Sequence, residues 1–276
     1  LVGQLKQESN MTGRESELIG NFEVRKEGNV TRRDVIMMGA MAATGLVAAG
    51  GEIVSAATAA APATATSGMT DPYVARDFSD LVNKKLDGLS VSQIEQHLKL
   101  YKGYVGKSNE IFNKLKDVDI TAANATYSPL RELLMEQSYA VNGAVFHEYY
   151  FGNLGGKGGE PTGDLKAALE ERWGSFGKFS DYLKASGKCM RGWVVIGFNT
   201  RGGHLDAFGL DMHNMWCPAN TLPILVLDVY EHAYMVDYGI DRAKYLDAFM
   251  KNIDWEVVAK RLSASKNHPT GLDATA

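Results

Sequence analysis

The sequence predicts an α+β fold: an antiparallel helical hairpin first, then helices mixed with a small three-stranded antiparallel sheet. Two long stretches with helical spacing of apolar residues are joined by a spacer short enough to fold them back on each other. Three short apolar runs follow, the first two separated by a turn containing Arg201-Gly202-Gly203. Between these halves lies Gly155-Gly156-Lys157-Gly158-Gly159-Glu160-Pro161, a break that no regular element crosses.

Taken in order, residues 1–67 read as a leader. Residues 1–30 are polar and charged. Thr31-Arg32-Arg33-Asp34-Val35-Ile36-Met37 then opens an uncharged stretch, Val35–Gly51, followed by Ser55–Ser67, which is almost entirely Ala, Thr and Pro. Paired arginines, a moderately apolar segment and a small-residue region match a twin-arginine export signal, with cleavage after Ala59 or Ala65. The apolar segment is too short and weak for a stable membrane span in the mature form. A periplasmic or extracellular location is therefore expected.

Residues 71–155 form the expected helical hairpin domain. Val91–Lys116 carries Ile94, Leu98, Tyr101, Val105, Ile111, Phe112 and Leu115 at helical spacing, with Ser90 or Ser92 as cap. Pro129 opens the second helix, Leu130–Leu154. In the second domain, 160–262, Asp164–Glu171 and Phe176–Ser186 read as helices, and Trp193–Asn199, Leu205–Leu210 and Leu222–Asp228 as strands. Asp241–Asn252 and Trp255–Leu262 read as closing helices, and 263–276 as a loose tail. The net charge of −4, without a dense basic stripe, gives no electrostatic footprint for nucleic acid. Cys189 and Cys217 lack C-x-x-C spacing and read as buried or free thiols.

Chemistry concentrates in Asp228-Val-Tyr-Glu-His232-Ala-Tyr. An Asp ending a buried apolar strand, with a His four residues on, suggests half of a nitrogen/oxygen metal site, because a buried carboxylate needs a cation or a partner. The plainer reading is a capping Asp and a hydrogen-bonded His. His97 and His147, one on each hairpin helix among core-type residues, supply the other half. Three imidazoles and one carboxylate suit a redox-capable first-row metal.

With these residues in place, 89–262 resembles the iron/manganese superoxide dismutase family, which has a helical hairpin followed by an α/β domain. Asp228-Val-Tyr-Glu-His232-Ala-Tyr is close to that family's D-x-W-E-H-A-Y. His147-Glu-Tyr-Tyr-Phe151-Gly-Asn153-Leu154 is similar to its H-x-x-x-W-x-N-L, and Gly192-Trp193, Ile196-Gly-Phe-Asn199 and Tyr245 through Asn252-Ile-Asp-Trp255 follow in order. The resemblance implies dismutation of superoxide at one Fe or Mn ion per subunit, held by His97, His147, Asp228 and His232. It also implies a homodimer bridged through Glu231/His232.

The first ligand has a rival. The distance from His97 to Tyr104 is one residue shorter than the family's, and counting back from Tyr104 would select Gln96. Imidazole chemistry and the loss of a local helical bulge favour His97. The family's usual solvent-contacting Gln is absent: the N-terminal position is Gly143, and the C-terminal one is His213, whose alternative is a surface-loop residue. Gly143 leans towards the manganese-type layout without deciding the metal. Tyr104 and His213 are expected to order the proton path, and Phe151, Trp193 and Tyr149 or Tyr150 the dry wall. The usual gateway pair is replaced, by Tyr101 or Leu100 on one side and Met235 on the other. Two rival readings follow: an exported metal-binding homologue with weak turnover, or a zinc hydrolase. The second lacks an H-E-x-x-H motif, since His147-Glu148 has no second His.

Overall fold

A computed structural model describes residues 71–215 and 218–268. The expected leader and export signal at 1–67, Cys217, and the last residues of the expected tail lie outside them. After a short helix α1 (Asp80–Asn83), α2 (Val91–Lys114) begins where the Ser90 hydroxyl accepts the Gln93 N–H. Its buried positions Ile94, His97, Leu98, Tyr101, Val105, Ser108 and Ile111 make one stripe at intervals of three and four. Helix α3 (Pro129–Gly152) starts the same way, with the Ser128 hydroxyl on the Arg131 N–H and Pro129 in the first turn, where its missing donor costs nothing. His97 packs on His147 while Tyr104 packs on Tyr139, so the two helices run antiparallel.

Helices α4 (Gly163–Trp173) and α5 (Phe176–Cys189) follow. Gly174 turns between them at φ 87°, a left-handed conformation that suits glycine. Strands β1 (Trp193–Asn199), β2 (His204–Leu210) and β3 (Thr221–Asp228) form an antiparallel sheet in the order β2-β1-β3. The central strand is buried along nearly its whole length, which explains its unbroken apolar sequence. Its register sets Trp193 opposite both Leu210 and Asp228. Beyond β3 come a 3-10 turn (Glu231–Ala233) and a single helical turn α6 (Met235–Tyr238), then α7 (Arg242–Lys251) and α8 (Trp255–Lys266). No described helix is long and apolar enough to cross a membrane.

One expectation needs correction. The tail does not begin at 263: α8 continues to Lys266 because Val258, Leu262 and Ser265, at helical spacing, are all buried. The glycine-rich break is crossed by no helix or strand and packs closely against 252–254. Gly156 and Gly158 donate to the carbonyls of Asn252 and Ile253, and a Cβ at Gly156 would lie 2.3 Å from the Ile253 carbonyl oxygen. One hydrophobic cluster, from Leu81 to Leu262, draws on both sides of the break.

Candidate metal centre

Four elements deliver the site: α2 brings His97, α3 brings His147, the end of β3 brings Asp228, and the 3-10 turn brings His232. Asp228 is held from both sides. Its Oδ1 accepts the Tyr230 N–H at 2.9 Å, and its carbonyl accepts the Tyr245 hydroxyl at 2.6 Å. That leaves Oδ2 facing inward, 3.1 Å from His97 Nε2, 3.2 Å from His232 Nε2 and 3.5 Å from His147 Nε2. One donor atom from each residue lies within 4.8 Å of every other. His97, His147 and Asp228 are buried, whereas His232 keeps some exposure.

His97 and His232 lie at hydrogen-bond distance from Asp228, but His147 does not fit a hydrogen bond to it. His147 Nδ1 contacts the Gly143 carbonyl and must carry the proton to do so. In the neutral ring Nε2 then presents a lone pair towards the carboxylate, and that nitrogen has no hydrogen-bond partner. A buried lone pair facing a buried carboxylate oxygen is repulsive unless a cation lies between them. Burial, the largest influence on His97 and His147, holds both rings below the usual histidine range and hence neutral, the form that ligates. Burial pushes the Asp228 carboxyl up, but the attraction and hydrogen bonds of His232 and His97 outweigh it, leaving the group well below the usual carboxylate range. Neutral imidazoles around one ionised carboxylate fit a first-row metal ion.

His97 is brought in and Gln96 is not. Gln96 lies at the exposed face and bonds Ser92. Helix α2 is uninterrupted α-helix, so His97, Tyr101 and Tyr104, at i, i+4 and i+7, share one face. The shortened His-to-Tyr spacing is therefore absorbed as two regular turns.

His213 is fully buried, not a surface-loop residue. The Trp193 indole donates to its Nδ1 at 2.8 Å, and its Nε2 lies 2.8 Å from the Tyr104 hydroxyl. Indole can only donate, so Nδ1 is the bare nitrogen and Nε2 carries the proton. Burial lowers the His213 pKa to about 4. Gly143 makes room for this pair, since a Cβ there would sit 2.7 Å from the Tyr104 ring. Of the wall residues, Phe151, Trp193 and Tyr150 have ring centroids 4.8–5.0 Å from a ligand imidazole. Tyr149 instead lies under the Arg261 guanidinium. At the gateway position Tyr101, not Leu100, is buried, and its hydroxyl donates to Glu148. Met235 is exposed.

Three further side chains, given no role from the sequence, contribute to the site. Gln93 is buried and donates to the His232 carbonyl at 2.6 Å while accepting the Val236 N–H, tying α2 to the turn that carries His232. Tyr139 lies 4.5 Å, ring to ring, from His213. Tyr230 stacks on His232 at 5.2 Å. Only Gln93's position one turn before His97 hinted at a shared face.

Residues 161–261 match the family model described as iron/manganese superoxide dismutases, C-terminal domain. A superoxide dismutase [Fe] of Aquifex pyrophilus is 46% identical over 184 residues, covering 64% of this chain and 86% of that protein. A superoxide dismutase [Fe] of Cupriavidus metallidurans is 38% identical, over 66% and 92% of the two chains. A superoxide dismutase [Mn] of Mycolicibacterium smegmatis is 30% identical, over 64% and 85%. With its ligand-like cluster, its ordered motifs and these relatives, the chain belongs to the iron/manganese superoxide dismutase family.

Proposed function

We propose that this chain is a superoxide dismutase holding one iron or manganese ion among His97, His147, Asp228 and His232. The observation that carries the reading is the convergence of three imidazole nitrogens on one buried carboxylate oxygen, with the His147 lone pair left unpartnered. When bound, the metal supplies one-electron chemistry, so that one superoxide is oxidised to oxygen and a second, with two protons, is reduced to hydrogen peroxide.

The protein supplies charge balance, protons and dryness. As ligands, Asp228 would contribute one negative charge and the imidazoles none, which would leave an added cation partly compensated. His213 Nε2–H donates to the Tyr104 hydroxyl, and the Tyr104 ring stacks on His147 at 5.3 Å. Burial raises the Tyr104 pKa above the ordinary phenol value, so the hydroxyl keeps its proton until a basic oxygen needs it. Phe151, Trp193 and Tyr150 exclude water from the ligand rings and strengthen the local field.

The decisive experiment loads purified protein with iron or manganese separately, with elemental analysis, and assays superoxide removal. Activity with one metal is expected; retention of metal with no removal in either form would leave a metal-binding homologue. That second reading is favoured by the gateway, where the Tyr101 hydroxyl is engaged by Glu148 and Met235 replaces an aromatic partner. Zinc retention with ester or peptide hydrolysis would point to the third reading.

Two further expectations belong here. Export by the twin-arginine route is supported by Thr31-Arg32-Arg33 and the Ala/Thr/Pro stretch after it. Replacing both arginines by lysine should hold a reporter fusion in the cytoplasm. A homodimer through Glu231/His232 is supported by Glu231, whose side chain is 62% exposed beside Arg242. Sedimentation should give twice the subunit mass, and Glu231→Ala should shift the protein towards monomer.

A further inference from the structure

The segment before α1 is clasped to the back of the helical hairpin by a closed hydrogen-bonded ring. The Arg76 N–H donates to the Tyr101 hydroxyl at 2.8 Å, and that hydroxyl donates to Glu148 Oε1 at 2.9 Å. Glu148 Oε2 returns to Arg76 Nε at 3.0 Å. Each group uses two of its bonding positions. Tyr101 is completely buried and stands one turn beyond His97 on α2; Glu148 directly follows His147 on α3. The ring is thus a cross-link between the two helices at the level of their ligand-like histidines.

The rest of the segment reinforces it. Asn109 on α2 bonds both polar groups of the Tyr73 backbone, at 3.0 and 2.7 Å. Phe78 packs on Tyr101 and on Phe151, and Phe151 in turn lies 4.8 Å from the His97 ring. None of these residues faces the His213–Tyr104 pair through any hydrogen bond described above, so the clasp is separate from the proton path. An exposed Arg–Glu pair contributes little by itself, and here Arg76 is 72% exposed. What gives the ring its force is the buried hydroxyl, which accepts the Arg76 backbone N–H and donates to Glu148, so that its removal leaves both groups without this partner.

We propose that residues 71–78, acting through Tyr101 and Glu148, are positioning elements that set the spacing of His97 and His147 and hence retention of the metal. Tyr101 occupies the place where the family's gateway residue is expected, and in this chain it has become a strut. The inference rests on the proposed metal site and extends it to groups that touch neither metal nor substrate.

The test uses the full chain loaded with Mn(II), and separately Co(II) as a spectroscopic probe. Tyr101→Phe keeps the ring and deletes the hydroxyl, Glu148→Ala removes both acceptors that close the clasp, and Asn109→Ala frees the preceding residues. Glu148→Gln retains an acceptor for the Tyr101 hydroxyl and serves as the conservative rescue. Transfer of metal to a chelator should speed up about tenfold in Tyr101→Phe and Glu148→Ala, the lower end of what lost supporting contacts cost a metal site. Glu148→Gln should lie between these and the parent. The Co(II) absorption bands should shift in the fast-releasing variants, which a uniform loss of stability would not cause.

Unchanged release and unchanged bands in Tyr101→Phe and Glu148→Ala would overturn the proposal. Should Tyr101→Phe fail to fold, Glu148→Ala, which removes both acceptors of the ring, decides alone. Loss of superoxide removal in a parent protein that still holds metal would sink the dismutase reading and leave the clasp standing.

Discussion

The residue that most shapes the behaviour of the site is His213, because both its ring nitrogens are engaged. Trp193 donates to one and Tyr104 meets the other, so its tautomer is fixed by neighbours that do not bind metal. His213→Ala should leave metal content unchanged but alter the pH profile of superoxide removal. It should also destabilise by about 1–3 kcal/mol by leaving the buried Trp193 N–H unpartnered. Metal analysis and a pH–rate series check both; loss of metal would mean His213 supports the ligands directly. Acid sensitivity belongs to the same scale. Burial lowers the pKa of His213, from an ordinary 6.5 to about 4, so the unfolded chain takes up its proton first as pH falls. The stabilisation is fully present above about 6.5 and is lost on descending to about 4; for His213 alone it amounts to about 3 kcal/mol. His97 and His147, lowered by burial too, act in the same direction. The melting temperature of metal-free protein should fall steeply across that window.

At the scale of elements, the regularity of α2 decides which side chains meet. An unbroken helix places His97, Tyr101 and Tyr104 on one face, so the proposed ligand, strut and proton donor occupy three successive turns. Gln93, a turn earlier on the same helix, fastens the His232 turn through two hydrogen bonds. Gln93→Ala should cost about 2 kcal/mol, roughly 1 for each bond. Because the tether is lost at the most exposed ligand, metal should also leave faster. Denaturant unfolding and chelator competition on one preparation measure the two effects. On the other helix, Asn153 bonds both polar groups of Val226, so the end of α3 is pinned to the strand carrying Asp228. The spacing between helix and sheet ligands is set there.

For the whole molecule, ligands from two hairpin helices, a strand and a turn make metal binding a bridge between the halves of the chain. Anything bound only by the folded state stabilises it by mass action, about 4 kcal/mol when the metal is a thousandfold above its dissociation constant. Removing metal with a chelator should therefore lower the melting temperature by several degrees, and restoring iron or manganese should recover it. The same logic makes the glycine-rich break a packed joint: its glycines admit the backbone of 252–254, and one core runs through it.

Much of this was readable in the residues themselves. Capped, periodic helices, an unbroken apolar central strand and the Asp228/His232 spacing depend on local chemistry that leaves its mark in consecutive residues. The cluster's four members could be named because buried histidines and aspartates are few and need partners. What the sequence left open depended on side chains distant in the chain. Between His97 and Gln96, helix phase against β3 decides; for His213, burial under Trp193 and Tyr104 decides. The continuation of α8 past Leu262 follows from a buried Ser265, a polar residue that periodicity counts as exposed. Gln93 and the Arg76–Tyr101–Glu148 ring emerge only in three dimensions, since hydrogen bonds between separate segments impose no period on the sequence.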